Sequence, residues 1–188
     1  GQRDWIPSLA RPLAKWLWKR LELTLIRKCR AIATVTEPIA ENYSKHHRRV
    51  EVLRNFPFLP SINLNAIDSK RDRRACVFAG ALERARNLRN SVLSLGRLRR
   101  RAVAVSLWLA GICESSEDKD ETLGLVESEG VKDQVRYFGV LSHSDTLDLL
   151  ARAGIGLVNY LPNQNSLNGL PIKFFECMAL GLPIVYSN

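Results

Sequence analysis

A chain of 188 residues with 46% hydrophobic and 25% charged content is ordinary globular material, enough for one sizeable core. No apolar run is long enough to span a bilayer, and the opening residues do not read as a secretory signal. The formal net charge of +9 points to an anionic partner, with nucleic acid, acidic lipid and a phosphorylated small molecule all open.

In chain order, "PLAKWLWKRLELTLIRKCR" (12–30) places Leu13, Leu17, Leu21 and Leu25 at helical spacing. A strand-like "AIATVT" follows. A helix then opens at Thr36-Glu37-Pro38, where Thr can cap and Pro suits the first turn. "VEVLRNF" is a second short strand ended by Pro57, and the proline-containing, charged stretch 58–74 reads as a linker. Beyond it, "ACVFAGA" is a nearly continuous apolar strand, as expected for a parallel sheet buried on both faces. A basic helix from about Leu88 to Arg99, the strand "AVAVSLWLAG" and an acidic helix "DKDETLGLVESEG" come next. "QVRYFG" is a third strand of this region. "SHSDTLDLLARAG" carries a capping-box signature in Ser142 and Asp145. "IGLVNY", a polar loop to Asn168, a helix and "LPIVYS" close the chain. Strand and helix alternate throughout, so the expected fold class is α/β, a doubly wound, Rossmann-like parallel sheet.

In such a sheet, ligands bind beyond the carboxyl ends of the strands. After "ACVFA" come Gly80, suited to close backbone approach, and the cations Arg84 and Arg86. Gly139 follows the third strand, and the polar loop "LPNQNSLNGL" follows the fourth. A helix start there favours an anion, and Lys173 in its first turn makes most sense with an anion bound. Glu176, three residues on, shares that face, and its carboxylate can accept two hydroxyl hydrogen bonds, as a ribose diol offers. The bland alternatives are a surface Lys–Glu pair, solvated arginines and a glycine that merely ends a strand. Asp118-Lys119-Asp120 is a D-x-D, but it opens a helix, where acidic residues favour the dipole, and no metal site is expected. The cysteines Cys29, Cys76, Cys113 and Cys177 lie far apart without a C-x-x-C, which fits reduced thiols in a cytosolic protein.

"GLPIKFFECMALGLPIVYSN", together with "VFAGALERARN", "SLWLAG" and "VRYFGVLSHSDTLDLLARAGIGLV" in this order, resembles the retaining glycosyltransferases of family 4, the glycosyl transferases group 1 domain. "TVTEPIAENY" and "VEVLRNFP" resemble the last part of that family's first domain. The resemblance implies the GT-B fold of two Rossmann-like domains. Residues 1–57 would be the end of the acceptor-side domain, 58–74 the connection, and 75–188 a nucleotide-sugar donor domain lacking its last elements. It also implies transfer of a sugar from a nucleotide diphosphate sugar to an acceptor hydroxyl with retention, in polysaccharide or glycolipid synthesis, without a metal or other cofactor. This chain alone is then expected to be inactive.

By the same resemblance, Glu176 matches the second of two motif glutamates and holds the ribose, while the first falls on Asn168, an amide. The family's arginine after the first-strand glycine is here Ala81. Arg86 stands where the family has a lysine on the diphosphate, and Lys173 supplies the lost charge. Phe138 and Gly139 match the stretch beside the base, and the backbone of Gly169 and Leu170 lies by the phosphates and sugar.

Other readings stay open. A non-catalytic Rossmann-like module could hold a membrane surface or nucleic acid through its basic face, although no nucleic acid is expected on the leading reading. An epimerase of the same fold is a third. The helix 12–30, with Trp16 and Trp18 among Lys and Arg, has the composition of an interfacial membrane helix, while its leucine stripe also suits packing on a first-domain sheet. The expected setting is cytoplasmic, with a peripheral contact at the inner membrane face through 12–30. His46 and His47 read as solvated, and His143 has no evident partner.

Overall fold

A computed structural model describes residues 7, 10–57, 71–162 and 171–187. It forms two compact units, Gly1–Asn55 and Phe56–Asn188.

In the first unit, α1 (Arg11–Lys28) leads to β1 (Ile32–Thr34), α2 (Glu37–Ser44) and β2 (Val50–Val52). The two strands pair in parallel, Ile32 opposite Val50 and Thr34 opposite Val52. Tyr43 of α2 donates its hydroxyl to Glu22 Oε1 of α1 at 2.8 Å. Thr36 stands at the N-cap of α2, but its side chain makes no capping bond, so the expected cap reduces to backbone geometry and Pro38. His47 is not simply solvated. Its ring nitrogens lie 3.0 Å from Cys29 O and 2.9 Å from Arg49 O, bridging the end of α1 to the lead into β2. The leucine stripe of α1 is open: Leu13, Leu17, Leu21 and Leu25 are each more than half exposed, and Ile26 is the residue of α1 that is buried.

The second unit runs β3 (Asp72–Ala79), α3 (Leu88–Arg100), β4 (Ser106–Ala110), α4 (Ser116–Ser128), β5 (Val135–Tyr137), α5 (His143–Arg152), β6 (Ala153–Val158), α6 (Ile172–Ala179) and β7 (Ile184–Tyr186). The strands form one parallel sheet in the order β5-β4-β3-β6-β7. Side chains alternate across it as the pleat dictates. Ala75, Val77, Trp108 and Ala110 enter one core with Leu147, Leu150, Cys177 and Leu180. Phe78, Leu107 and Leu109 enter the other with Leu88, Val92, Leu95 and Val126. Helices α5 and α6 therefore cover one face and α3 and α4 the opposite one. This is the doubly wound arrangement expected from the alternation of elements.

Several boundaries differ from the sequence reading: β4 begins at Ser106 rather than Ala102, and β6 at Ala153 rather than Ile155. β3 begins at Asp72, so Asp72, Arg73 and Arg74 belong to the strand rather than to a connection. α4 begins ahead of the acidic run because Ser115 caps it, its Oγ accepting from Asp118 N at 3.1 Å.

Helix α6 ends in a Schellman turn. Gly181, at φ 58°, donates to Met178 O, and Leu182 donates to Cys177 O. Arg71, just ahead of β3, reaches this end and donates to Gly181 O at 2.9 Å and to Leu180 O. A cation on the last carbonyls of a helix satisfies acceptors and complements the dipole. Arg71→Ala should therefore lower unfolding stability by about 1–2 kcal/mol, read as the midpoint of a urea titration. An unchanged midpoint would show that water replaces the guanidinium without loss.

Candidate functional site

The strand order fixes where a ligand can enter. From β3 the chain winds toward β4 and β5 with its helices on one face. From β6 it winds toward β7 with α6 on the other. β3 and β6 are neighbours whose outgoing connections part to opposite faces, so a crevice opens beyond their carboxyl ends.

The rim above β3, β4 and β5 is made of backbone. Gly80 N donates to Ala110 O at 2.9 Å, Gly111 N to Gly139 O at 2.8 Å, and Phe138 N to Leu109 O at 2.8 Å. Tyr137 clamps the same edge, donating its hydroxyl to Gly111 O at 2.8 Å. Gly111 has φ 139°, and a Cβ there would lie 1.7 Å from Gly80 O. Only glycine lets the ends of β3 and β4 close up in this way. Gly80 and Gly139 thus lie on the rim as expected. Gly111, which no sequence signal singled out, holds them together. Phe138 presents its backbone to this edge, while its ring packs into the core on Trp108 at 5.6 Å between centroids.

Arg86 closes the short 3-10 turn Arg84–Arg86 after β3. Its guanidinium lies 4.5 Å from the centroid of Tyr160, which follows β6, so the contact crosses the β3–β6 crevice. Tyr160 is itself held by Ser187 beyond β7: Ser187 Oγ accepts from Tyr160 N at 2.7 Å and donates to Tyr160 O at 3.0 Å. Arg86 makes no ion pair with a carboxylate among the described residues. Arg84 differs. Its side chain is exposed, and its backbone N donates to Asp118 Oδ2 at 2.9 Å. That bond employs the first carboxylate of the D-x-D, and among the described residues no three His, Cys, Asp or Glu gather as a metal would require.

The start of α6 carries the other charged group. Lys173 Nζ lies 2.7 Å from Glu176 Oε2, and His143 Nε2 at the start of α5 lies 3.0 Å from Glu176 Oε1. Glu176 is 1% exposed, which rules out a solvated surface pair. Its Oε2, though close to Lys173, has no partner at hydrogen-bonding angles. His143 does have a partner after all, one that lies 33 positions away in the chain. Its placement follows from the capping box. Ser142 Oγ accepts from Asp145 N at 3.1 Å and donates to Asp145 Oδ2 at 2.7 Å, which fixes the first turn of α5. Next to Glu176, burial and the neighbouring carboxylate push the Cys177 thiol up to about 11, against a smaller opposing pull from Lys173. The sequence-selected residues thus collect in two places. Gly80, Arg86 and Gly139 lie along the strand ends, and Lys173 with Glu176 lies at the start of α6. Asn168, Gly169 and Leu170 lie outside the described residues.

The family described as glycosyl transferases group 1 matches residues 62–188. Among solved structures, a point mutant of S. aureus TarM in complex with fondaparinux, α-GlcNAc-glycerol and UDP superposes with a TM-score of 0.69 at 12% identity, covering 89% of this chain and 32% of that one. Sucrose-phosphate synthase from Thermosynechococcus elongatus gives 0.66 at 18% identity, covering 89% and 43%. Anabaena Alr3699/HepE in complex with UDP-glucose gives 0.68 at 13% identity, covering 89% and 47%. At such identities the likeness establishes the fold, that of GT-B glycosyltransferase domains. The chain spans between about a third and a half of those proteins' lengths. No protein of curated function matches by sequence.

The rim makes a test that needs no ligand. Gly111→Ala should cost at least about 2 kcal/mol, from the strained φ and the overlap with Gly80 O. Denaturant unfolding would read the loss. Full stability would mean that the strand ends can part freely.

Proposed function

Because the chain belongs to the glycosyl transferases group 1 family, we propose that its 72–188 region is a donor-binding domain for a nucleotide diphosphate sugar. On this reading the enzyme transfers the sugar to an acceptor hydroxyl with retention, without a metal, in polysaccharide or glycolipid synthesis. Residues 1–57 then belong to the acceptor-side domain and 58–71 to the connection, with β3 of the donor domain starting at Asp72. The observation that carries the reading is the Arg86 guanidinium, stacked on Tyr160 over the crevice with no carboxylate of the described residues to neutralise it. A cation in that state at a topological switch point is suited to a diphosphate.

Each group has a stated part. Arg86 and Lys173 stabilise negative charge as it grows on the leaving diphosphate, the larger share of what such a site can contribute. The glycine rim lets the ligand approach backbone closely, with Gly139 and the backbone of Phe138 beside the base. Glu176 accepts ribose hydroxyls, which requires that Lys173 first leave Oε2. Asn168, Gly169 and Leu170 complete the sugar side. Arg84, with its side chain in solvent, adds charge near the entrance. The solved neighbours that hold UDP or UDP-glucose support a nucleotide-sugar donor.

Calorimetric titration of the chain with UDP, GDP, ADP and their glucose conjugates tests this directly. One nucleotide is expected to bind, and Arg86→Ala or Lys173→Ala to weaken it about tenfold each, as for a lost charge-assisted hydrogen bond. Silence with every nucleotide at millimolar concentration would refute the assignment.

The open face of α1 supports peripheral membrane contact as well. Trp16 and Trp18 are more than half exposed beside the leucine stripe, among Lys15, Lys19, Arg20, Arg27 and Lys28. No helix among the described residues is long and apolar enough to cross a membrane, so contact is along the surface. Co-sedimentation should be strong with vesicles containing phosphatidylglycerol, weak with pure phosphatidylcholine, and lost on Trp16→Ser/Trp18→Ser. Equal binding to both vesicle types would contradict the charge argument.

A further inference from the structure

His143 touches Glu176 and has no part in the chemistry above. The inference rests on the donor-site reading and adds a residue to it. In the structure His143 and Lys173 share the Glu176 carboxylate, one oxygen each. A bound donor makes two demands that this arrangement cannot meet at once. The diphosphate calls for Lys173, and the ribose calls for a carboxylate oxygen. Stripped of every partner, a charge as buried as Glu176 is strongly disfavoured. The contacts differ in kind, and that difference decides which one yields. Nε2 and Oε1 form a hydrogen bond at 3.0 Å, given the proton on Nε2. Oε2 has Lys173 close by at 2.7 Å but off hydrogen-bonding angles, so it retains an unused acceptor direction.

We propose that His143 is a positioning residue: it holds Glu176 by Oε1 while Lys173 turns from Oε2 to the diphosphate, leaving Oε2 to accept a ribose hydroxyl. Lys173 is about a third exposed and unbranched, so it can make that turn. His143 is anchored at the capped first turn of α5 and stays. Before the donor arrives, His143 holds Oε1 and the Lys173 ammonium offsets the charge beside Oε2. With the donor bound, His143 and the ribose satisfy it together.

The test compares the parent chain with His143→Ala and His143→Gln. The Gln amide nitrogen reaches about as far as Nε2 and can donate as it does. The ligands are the best-binding nucleotide of the UDP, GDP and ADP set, and inorganic pyrophosphate, which carries no ribose. His143→Ala should weaken the nucleotide about tenfold and pyrophosphate at least as much, since no ribose hydroxyl then replaces the lost partner of Glu176, and His143→Gln should recover most of both losses. Parental affinity of His143→Ala for the nucleotide or for pyrophosphate, or failure of Gln to rescue, would each overturn the proposal. A parent chain that binds none of the nucleotides would instead remove the donor-site reading, and this inference with it. Should His143→Ala fail to fold, nitrogen-15 spectra of the parent decide. The His143 ring should keep its Nε2–H form at nucleotide saturation, and loss of that form would overturn the proposal.

Discussion

A carboxylate with 1% of its surface in solvent must be compensated, and Glu176 is compensated from two helices. That requirement ties the start of α5 to the middle of α6. It holds only if α6 lies hard against the sheet, which it does. A Cβ on Gly156 of β6 would come within 2.8 Å of Cys177 Sγ, so the small residue on the strand sets the depth of the helix. At its far end α6 is held by the Schellman turn and by Arg71. Packing alone would allow α6 to rotate or slide. The buried charge in its middle and the arginine at its end remove both freedoms, which is how a helix of eight residues presents Lys173 in a defined place.

The second anchor is of a different strength. A cation over an aromatic face contributes about 0.5–2 kcal/mol and leaves the guanidinium hydrogens free in the plane of the group. An ion pair would have used them. Arg86 on Tyr160 is therefore positioned without being neutralised by a carboxylate of the described residues, and Ser187 keeps the ring in register with β7. The two positive groups differ in a useful way. Arg86 is pre-placed and uncommitted, whereas Lys173 is committed until something more strongly anionic competes for it.

What could be read from the chain was local. Apolar runs such as "CVFA" and "LWLA" gave buried parallel strands, because burial on both faces removes alternation. The Ser142–Asp145 box gave the start of α5, because both partners lie within one turn. The i, i+3 spacing brought Lys173 and Glu176 together for the same reason. What was missed depends on contacts between distant segments. His143 meets Glu176 across 33 positions, Arg86 meets Tyr160 across the crevice, and Gly111 matters only because Gly80 O comes to rest beside it. The charged start of β3 was missed for another reason. Exposed strand ends carry no apolar signature, and Asp72, Arg73 and Arg74 are all exposed.

The net charge of +9 invites a simple electrostatic account, but its distribution argues otherwise. At the end of α3, Arg99 pairs with Asp133 at 2.5 Å and Arg100 with Glu129 at 2.7 Å, and at its start Arg89 faces Glu121 at 3.6 Å. Such exposed pairs add little stability, but they cancel field at the surface where they sit. The arginine-rich helix is thus largely offset by its own neighbours. Along the crevice the balance differs: at the start of α6 Lys173 and His143 share Glu176, and Arg86 has no ion pair with a carboxylate among the described residues. A modest local excess, held in a crevice with protein on both sides, attracts a diphosphate more selectively than a larger excess spread over solvated helices. On the proposed reading, the feature that marks the site is therefore that Arg86 lacks a counter-charge among the described residues, which a count of basic residues along the chain does not reveal.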